Sequence, residues 1–214
     1  VTGSALEAFG LAFRYLGWTL YLDPAAAPTT RLAGTDAFNP WLLDPEEPDT
    51  RAGLERLRRF RAAWDGSAPD RLGDDYNRLF VGPGPLPAPP WESAWRGPER
   101  LLFGPQTLAV RAWYARFGLE APRAGREPDD HLGLEFLFMA HLCGLAAGDW
   151  PASAAAWEAA AGFLDQHLLR WAPDCLAGVA AAAGTAYYQG VALLGLGSLA
   201  QARAHWDGRR NLAP

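Results

Sequence analysis

Lysine is absent from the 214 residues, so all 19 basic side chains are arginine. With plentiful Ala, Gly and Pro, this points to a GC-rich coding sequence and says nothing of function. Net charge is -5 at pH 7, so the basic footprint that phosphate recognition needs is missing and nucleic acid is excluded as a partner. There are two cysteines, Cys143 and Cys175, far apart and in no CxxC; the expectation is a reduced, cytoplasmic protein. No signal peptide is recognisable, because the start has no basic cluster and Glu7 and Arg14 interrupt its apolar residues. The longest weakly polar run, "AGVAAAAGTAYYQGVALLGLGSLA", has the length of a membrane span but is Ala- and Gly-rich and contains Gln189. It reads as a buried helix pair. GxSxG and HExxH are absent. "GPGPLP" at residues 82 to 87 begins like a phosphate loop, but its prolines remove the amide donors such a loop supplies.

Proline is present in quantity and in one place. "VGPGPLPAPPWESAW", residues 81 to 95, holds five prolines and one charge, Glu92. Neither a helix nor a central strand runs through such a segment, because proline lacks the amide donor and its ring clashes with the preceding turn. It is a stiff apolar strap that either packs Trp91 and Trp95 into the body or forms one wall of a groove. Proline lowers the entropy cost of ordering such a wall, and tryptophan supplies flat contact area.

Helical periodicity dominates the rest. Leu6, Phe9, Phe13, Leu16 and Leu20 recur at steps of three and four, with Ser4 and Glu7 at capping-box spacing. A Pro/Gly-broken connection follows, with Phe38 and Trp41 as its anchors. Leu54, Leu57, Phe60, Arg61 and Trp64 share one side of the next helix, and Arg51, Arg56, Arg58, Arg59 and Arg61 form a solvated basic face. Leu72, Tyr76, Leu79 and Phe80 line a short helix before the strap. Helix resumes over "GPERLLFGPQTLAVRAWYARFGL", with a bend at Gly104-Pro105. Leu132, Phe136, Met139, Leu142 and Cys143 mark another apolar face. The remainder reads as helix broken around Pro173 and Gly184. No stretch alternates at period two. The expectation is an all-α single domain over 1–214, a bundle of about eight to ten helices.

"EPDDHLGLE", residues 127 to 135, is the second candidate site. Pro128 fits a first helical position, which would put Asp129 and Asp130 in the first turn against free amides. His131 and Glu135 are four apart. Three readings stay open: a capped helix start, a metal-dependent hydrolase using His131, Glu135 and Asp130, or an acidic site in which Glu127, Asp129 and Asp130 meet guanidinium groups.

The blocks "YNRLFVGPGPLPAPPWESAW", "LLFGPQTLAVRAWYARFGL", "EPDDHLGLEFLFMAHL" and "FLDQHLLRWAPDCLAGVAAAAGTAYYQGVA", in this order over about residues 70 to 195, resemble the TorD/DmsD family, and "LPAPPW" resembles its DmsD branch most. The resemblance implies an all-helical chaperone without catalytic activity or cofactor. Such a chaperone binds the twin-arginine leader of a dimethyl sulfoxide or trimethylamine N-oxide reductase-type molybdoenzyme and holds it back from export until maturation. Its partners would be that leader and the export machinery, and a monomer or a domain-swapped homodimer would fit. Carried over by position, the implied peptide-binding residues are Tyr76, Leu79, Phe80, Gly82, Pro83, Pro90, Trp91 and Ser93 of the strap. Glu127, Pro128, Asp130 and His131 are implied in the second segment, to which the charge argument adds Asp129. The resemblance implies close relatives with a tryptophan where this chain has Gly84. A related, NarJ-like reading is an assembly factor for the mature reductase rather than its leader.

Overall fold

The computed structural model describes residues 2–27, 41–97, 101–148 and 152–210. Nine α-helices are found among them: α1 (Thr2–Tyr21), α2 (Pro48–Ala62), α3 (Ala68–Tyr76), α4 (Glu92–Arg96), α5 (Pro105–Arg116), α6 (Leu132–Ala146), α7 (Ala152–Gln166), α8 (Ala172–Ala182) and α9 (Ala186–Arg210). A π-turn, Asn77–Val81, extends α3, and a 3-10 turn, Leu168–Arg170, joins α7 to α8. The described residues contain no strand, only two isolated bridges.

The apolar stripes read from periodicity are the core. Leu6, Phe9, Phe13, Leu16 and Leu20 of α1, Leu72, Tyr76, Leu79 and Phe80 around the π-turn, and Leu132, Phe136, Met139, Leu142 and Cys143 of α6 are all buried. They share one continuous apolar cluster with Trp171, Trp206 and Tyr187. The weakly polar run of residues 177 to 200 is part of α8 and α9, and no helix among the described residues is long and apolar enough to cross a membrane.

Three local expectations fail. α1 already begins at Thr2, so Ser4 lies inside the helix and not at its N-cap position. On α2, Leu54, Leu57 and Phe60 are buried, but Arg61 is exposed and Trp64 lies beyond the helix end, 37% exposed. Helix does not run through Gly104; α5 starts at Pro105, after a turn in which Phe103 takes a positive φ of 61°. The anchor Trp41 is buried, while Phe38 lies outside the described residues.

Two packing arrangements hold the surroundings of the strap in place. α1 lies along α6, and their backbones nearly touch at Gly17 and Gly133. A Cβ on Gly133 would come within 2.7 Å of the Gly17 carbonyl oxygen and of the Tyr21 Cβ. This crossing presses the end of α1 onto the start of α6. On the other side, buried Asp75 of α3 accepts from the Gly184 and Thr185 amides (2.9 and 2.8 Å) and from the Thr185 hydroxyl (2.7 Å). Those are the free donors ahead of α9, so Asp75 caps that helix from a distance.

Candidate functional site

The strap begins where the π-turn ends. Gly82 and Gly84 both have φ near 100° (100° and 105°), and the Gly82-Pro83 bond is cis. A side chain at Gly84 would carry the strain of a left-handed backbone. Pro83 to Pro85 are exposed, and the chain then turns inward to bury Ala88 and Pro90. Trp95 Nε1 donates to the Pro89 carbonyl at 2.7 Å, and the Cys175 thiol of α8 approaches the same oxygen at 3.6 Å. Strap-as-connection and strap-as-wall therefore describe different halves of one segment: its C-terminal half is built in, and its N-terminal half faces water.

The strap ends against the second candidate segment. The Leu132 amide donates to Pro90 O (2.7 Å) and the Glu92 amide to Asp130 O (3.0 Å), forming an antiparallel bridge between Trp91 and His131. The two motifs are thus adjacent, 40 residues apart in sequence. The bridge also corrects the helix start. α6 begins at Leu132, with His131 as its N-cap accepting from the Gly133 amide through Nδ1 at 3.0 Å. Pro128, Asp129 and Asp130 therefore precede the helix, whose start is set by the bridge to the strap.

The carboxylates differ more from expectation. Asp130 is fully buried and satisfied internally, accepting from the Ser93 amide (2.6 Å) and the Thr107 hydroxyl (2.7 Å). It fastens α4 and α5 to the bridge and offers no oxygen to a ligand. Ser93 is itself buried, and its hydroxyl has no partner among the described residues. Asp129, 1% exposed, receives a two-pronged hydrogen bond from Arg111 of α5. Glu127 is the accessible acid, in contact with the Tyr21 hydroxyl (3.3 Å) and the Arg123 guanidinium (3.7 Å).

Below the bridge lies a buried polar layer that sequence reasoning missed. Glu92, the one charge of the strap, is fully buried between Arg96 and His167, whose Nδ1 is 2.7 Å away. Glu135 is also fully buried; burial first, then the charges of Glu92 and Asp130, push its carboxyl well above the usual range. Trp171 Nε1 donates to it at 3.4 Å. The hydrolase set of Asp130, His131 and Glu135 does not form a ligand shell. Both Asp130 oxygens and His131 Nδ1 are already engaged, and no group of three or more His, Cys, Asp or Glu among the described residues could hold a metal ion.

Beside the bridge the arrangement is aromatic. The His131 ring meets Tyr21 edge-on at 5.1 Å and Trp91 edge-on at 5.8 Å. Burial holds the imidazole down at about 3, hence neutral, and burial with the nearby Glu127 charge pushes the Tyr21 phenol up to about 12. The Tyr76 hydroxyl donates to Tyr21 O at 3.0 Å. Trp91 is half-buried, and its Nε1 is covered without a partner among the described residues. Leu79 and Phe80 stand behind this face as core. Tyr21 is the functional candidate that the sequence did not reveal; it comes from the far end of the chain through the Gly17–Gly133 crossing. Beside Tyr76 opens a hollow of about 400 Å³, lined by Asp23, Pro24, Asp70, Asp74 and Asn77.

Residues 44–177 match the family model described as nitrate reductase delta subunit. The chain is 31% identical over 202 residues, 92% of its length and 90% of the relative's, to the Tat proofreading chaperone DmsD of Salmonella typhi. The chain belongs to the TorD/DmsD family. A probable Tat proofreading chaperone DmsD from Haemophilus influenzae is 27% identical over 92% of this chain and 91% of its own. The chaperone protein TorD of Ferrimonas balearica is 29% identical over 63% of each chain. These TorD/DmsD relatives carry the names of chaperones, not of enzymes.

Proposed function

We propose that this protein is a cytoplasmic chaperone that binds the twin-arginine leader of a reductase of the dimethyl sulfoxide or trimethylamine N-oxide type and holds the precursor until its cofactor is loaded. The observation that carries this reading is the Trp91–His131 bridge. It sets the half-buried tryptophan at the end of the proline strap against His131, which in turn meets Tyr21 and, through the Tyr21 hydroxyl, the accessible Glu127. An apolar stretch preceded by two guanidinium groups has the complementary chemistry. Its apolar side chains cover Trp91 and the prolines, and its arginines meet aromatic faces and nearby carboxylates, Glu127 among them. A micromolar complex requires about 8 kcal/mol, which a few desolvated apolar anchors and charge-assisted hydrogen bonds supply without covalent chemistry.

Calorimetry with three synthetic leaders, carrying Arg-Arg, Lys-Lys or Ala-Ala before the same apolar stretch, tests the reading. The expected order is Arg-Arg tightest and Ala-Ala weakest, because lysine keeps the charge but loses the planar fork. Equal affinity for Arg-Arg and Ala-Ala would overturn it. A second reading, recognition of the mature reductase, draws on the exposed apolar Leu101, Leu102, Phe103 and Leu108. Co-purification with a client from which the leader has been deleted would favour it.

A further inference from the structure

Asp129 already holds a guanidinium, and that guanidinium is the chain's own. Arg111 Nε lies 2.8 Å from one carboxylate oxygen of Asp129, and a terminal nitrogen lies 3.0 Å from the other. The carboxylate is 1% exposed and the arginine side chain 44% exposed, so the arginine is the outer partner. The acid is held from behind as well, since the Tyr114 hydroxyl donates to the Asp129 carbonyl at 3.2 Å. No other hydrogen bond to Arg111 is found among the described residues. A buried carboxylate thus sits under a partly exposed arginine, two residues from the His131–Trp91 bridge.

We propose that Asp129 is the receptor for one leader arginine and that Arg111 is its resident placeholder, displaced when the leader binds. The inference rests on the leader-binding reading above. Exchanging one guanidinium for another keeps the forked pair and releases Arg111 to water, so the exchange is close to neutral. A lysine restores only a point charge, and an apolar residue leaves the buried carboxylate bare, which is costly. Arg111 therefore competes with a leader arginine and lowers that leader's affinity, while a leader without arginine leaves the resident pair in place. A merely structural ion pair makes the opposite prediction: loss of Arg111 would leave binding unchanged or weaker.

The test compares wild type, Arg111→Gln, Arg111→Lys and the Arg111→Gln/Asp129→Asn double variant. Arg111→Gln should bind the Arg-Arg leader about tenfold more tightly than wild type, with no gain for Ala-Ala. Arg111→Lys, which retains a cation over Asp129, carries the test if the glutamine variant does not fold, and it should also gain. The second probe is N-acetyl-arginine amide, which should raise the melting temperature of Arg111→Gln but not of the double variant. If wild type discriminates Arg-Arg from Ala-Ala while both single variants bind no better than wild type, the placeholder is overturned and the leader reading stands. If wild type does not discriminate, the leader reading falls and the small probe decides Asp129 alone: protection confined to Arg111→Gln keeps it as a guanidinium receptor, and no protection removes it.

Discussion

His131 has two separable duties, one for each side of its ring. Nδ1 caps α6 through the Gly133 amide, and the ring edge sits between Tyr21 and Trp91. Asparagine is among the preferred N-cap residues, so His131→Asn keeps the first duty and removes the second. Its stability should stay within about 1 kcal/mol of wild type in thermal melts, while calorimetry should show the Arg-Arg leader bound about tenfold more weakly. A large thermal loss with unchanged affinity would make the ring a packing element only. Trp91→Ala tests the neighbouring wall. The side chain is half-buried, so truncation should cost less stability than the roughly 3–5 kcal/mol of a fully buried aromatic. Leader affinity should fall at least about tenfold, as for a central aromatic anchor.

Among elements, the α1–α6 crossing governs whether the aromatic face exists. A methyl at Gly133 meets backbone on the opposing helix, the Gly17 carbonyl at 2.7 Å and the Tyr21 amide nitrogen at 2.8 Å, and backbone does not rotate aside as a side chain does. Gly133→Ala should therefore cost about 1–3 kcal/mol by overpacking. It should also weaken leader binding, because the helices must part and Tyr21 withdraws from His131; denaturant titration and calorimetry on one preparation read both. The legibility of the sequence divides along the same line between local and distant contacts. Leu132, Phe136 and Met139 were readable as core because helical burial repeats locally. The adjacency of strap and "EPDDH" could be supposed from complementary chemistry, and the bridge now provides it. The start of α6 was misread because Pro128 is a sound local signal overridden by pairing with Pro90 and Glu92, about 40 residues away. The internal partners of the carboxylates were illegible for the same reason: nothing near Asp129 or Asp130 in sequence announces Arg111, Thr107 or Ser93. Tyr21 was invisible because its place depends on two glycines in different helices.

For the whole molecule, the groups packed beneath the site set opposing responses of stability to pH. His131, neutral in the fold with its pKa held at about 3 by burial, refuses a proton that the unfolded chain accepts below about 6.5. Stability is therefore lost as pH falls through that window, about 1.4 kcal/mol by pH 5.5 from this residue. Burial depresses His141 and His205 in the same direction. Glu135 acts oppositely. Its folded carboxyl keeps a proton that the unfolded chain releases above 4.5, so its contribution is lost as pH rises from there. Above about 6.5 the histidine response has levelled off. Glu135→Gln retains an oxygen for Trp171 Nε1 and removes the titration. Its stability should approach that of wild type near pH 5 and exceed it increasingly toward pH 8, with the gap widening by at least about 1 kcal/mol, or about 2–4 °C in Tm. Melting curves at half-unit steps of pH measure the gap directly. A constant difference would mean that Glu135 is ionised in the folded state. The buried layer under the Trp91–His131 bridge would then hold a charged Glu135 whose only hydrogen bond among the described residues is from Trp171, which a buried site disfavours.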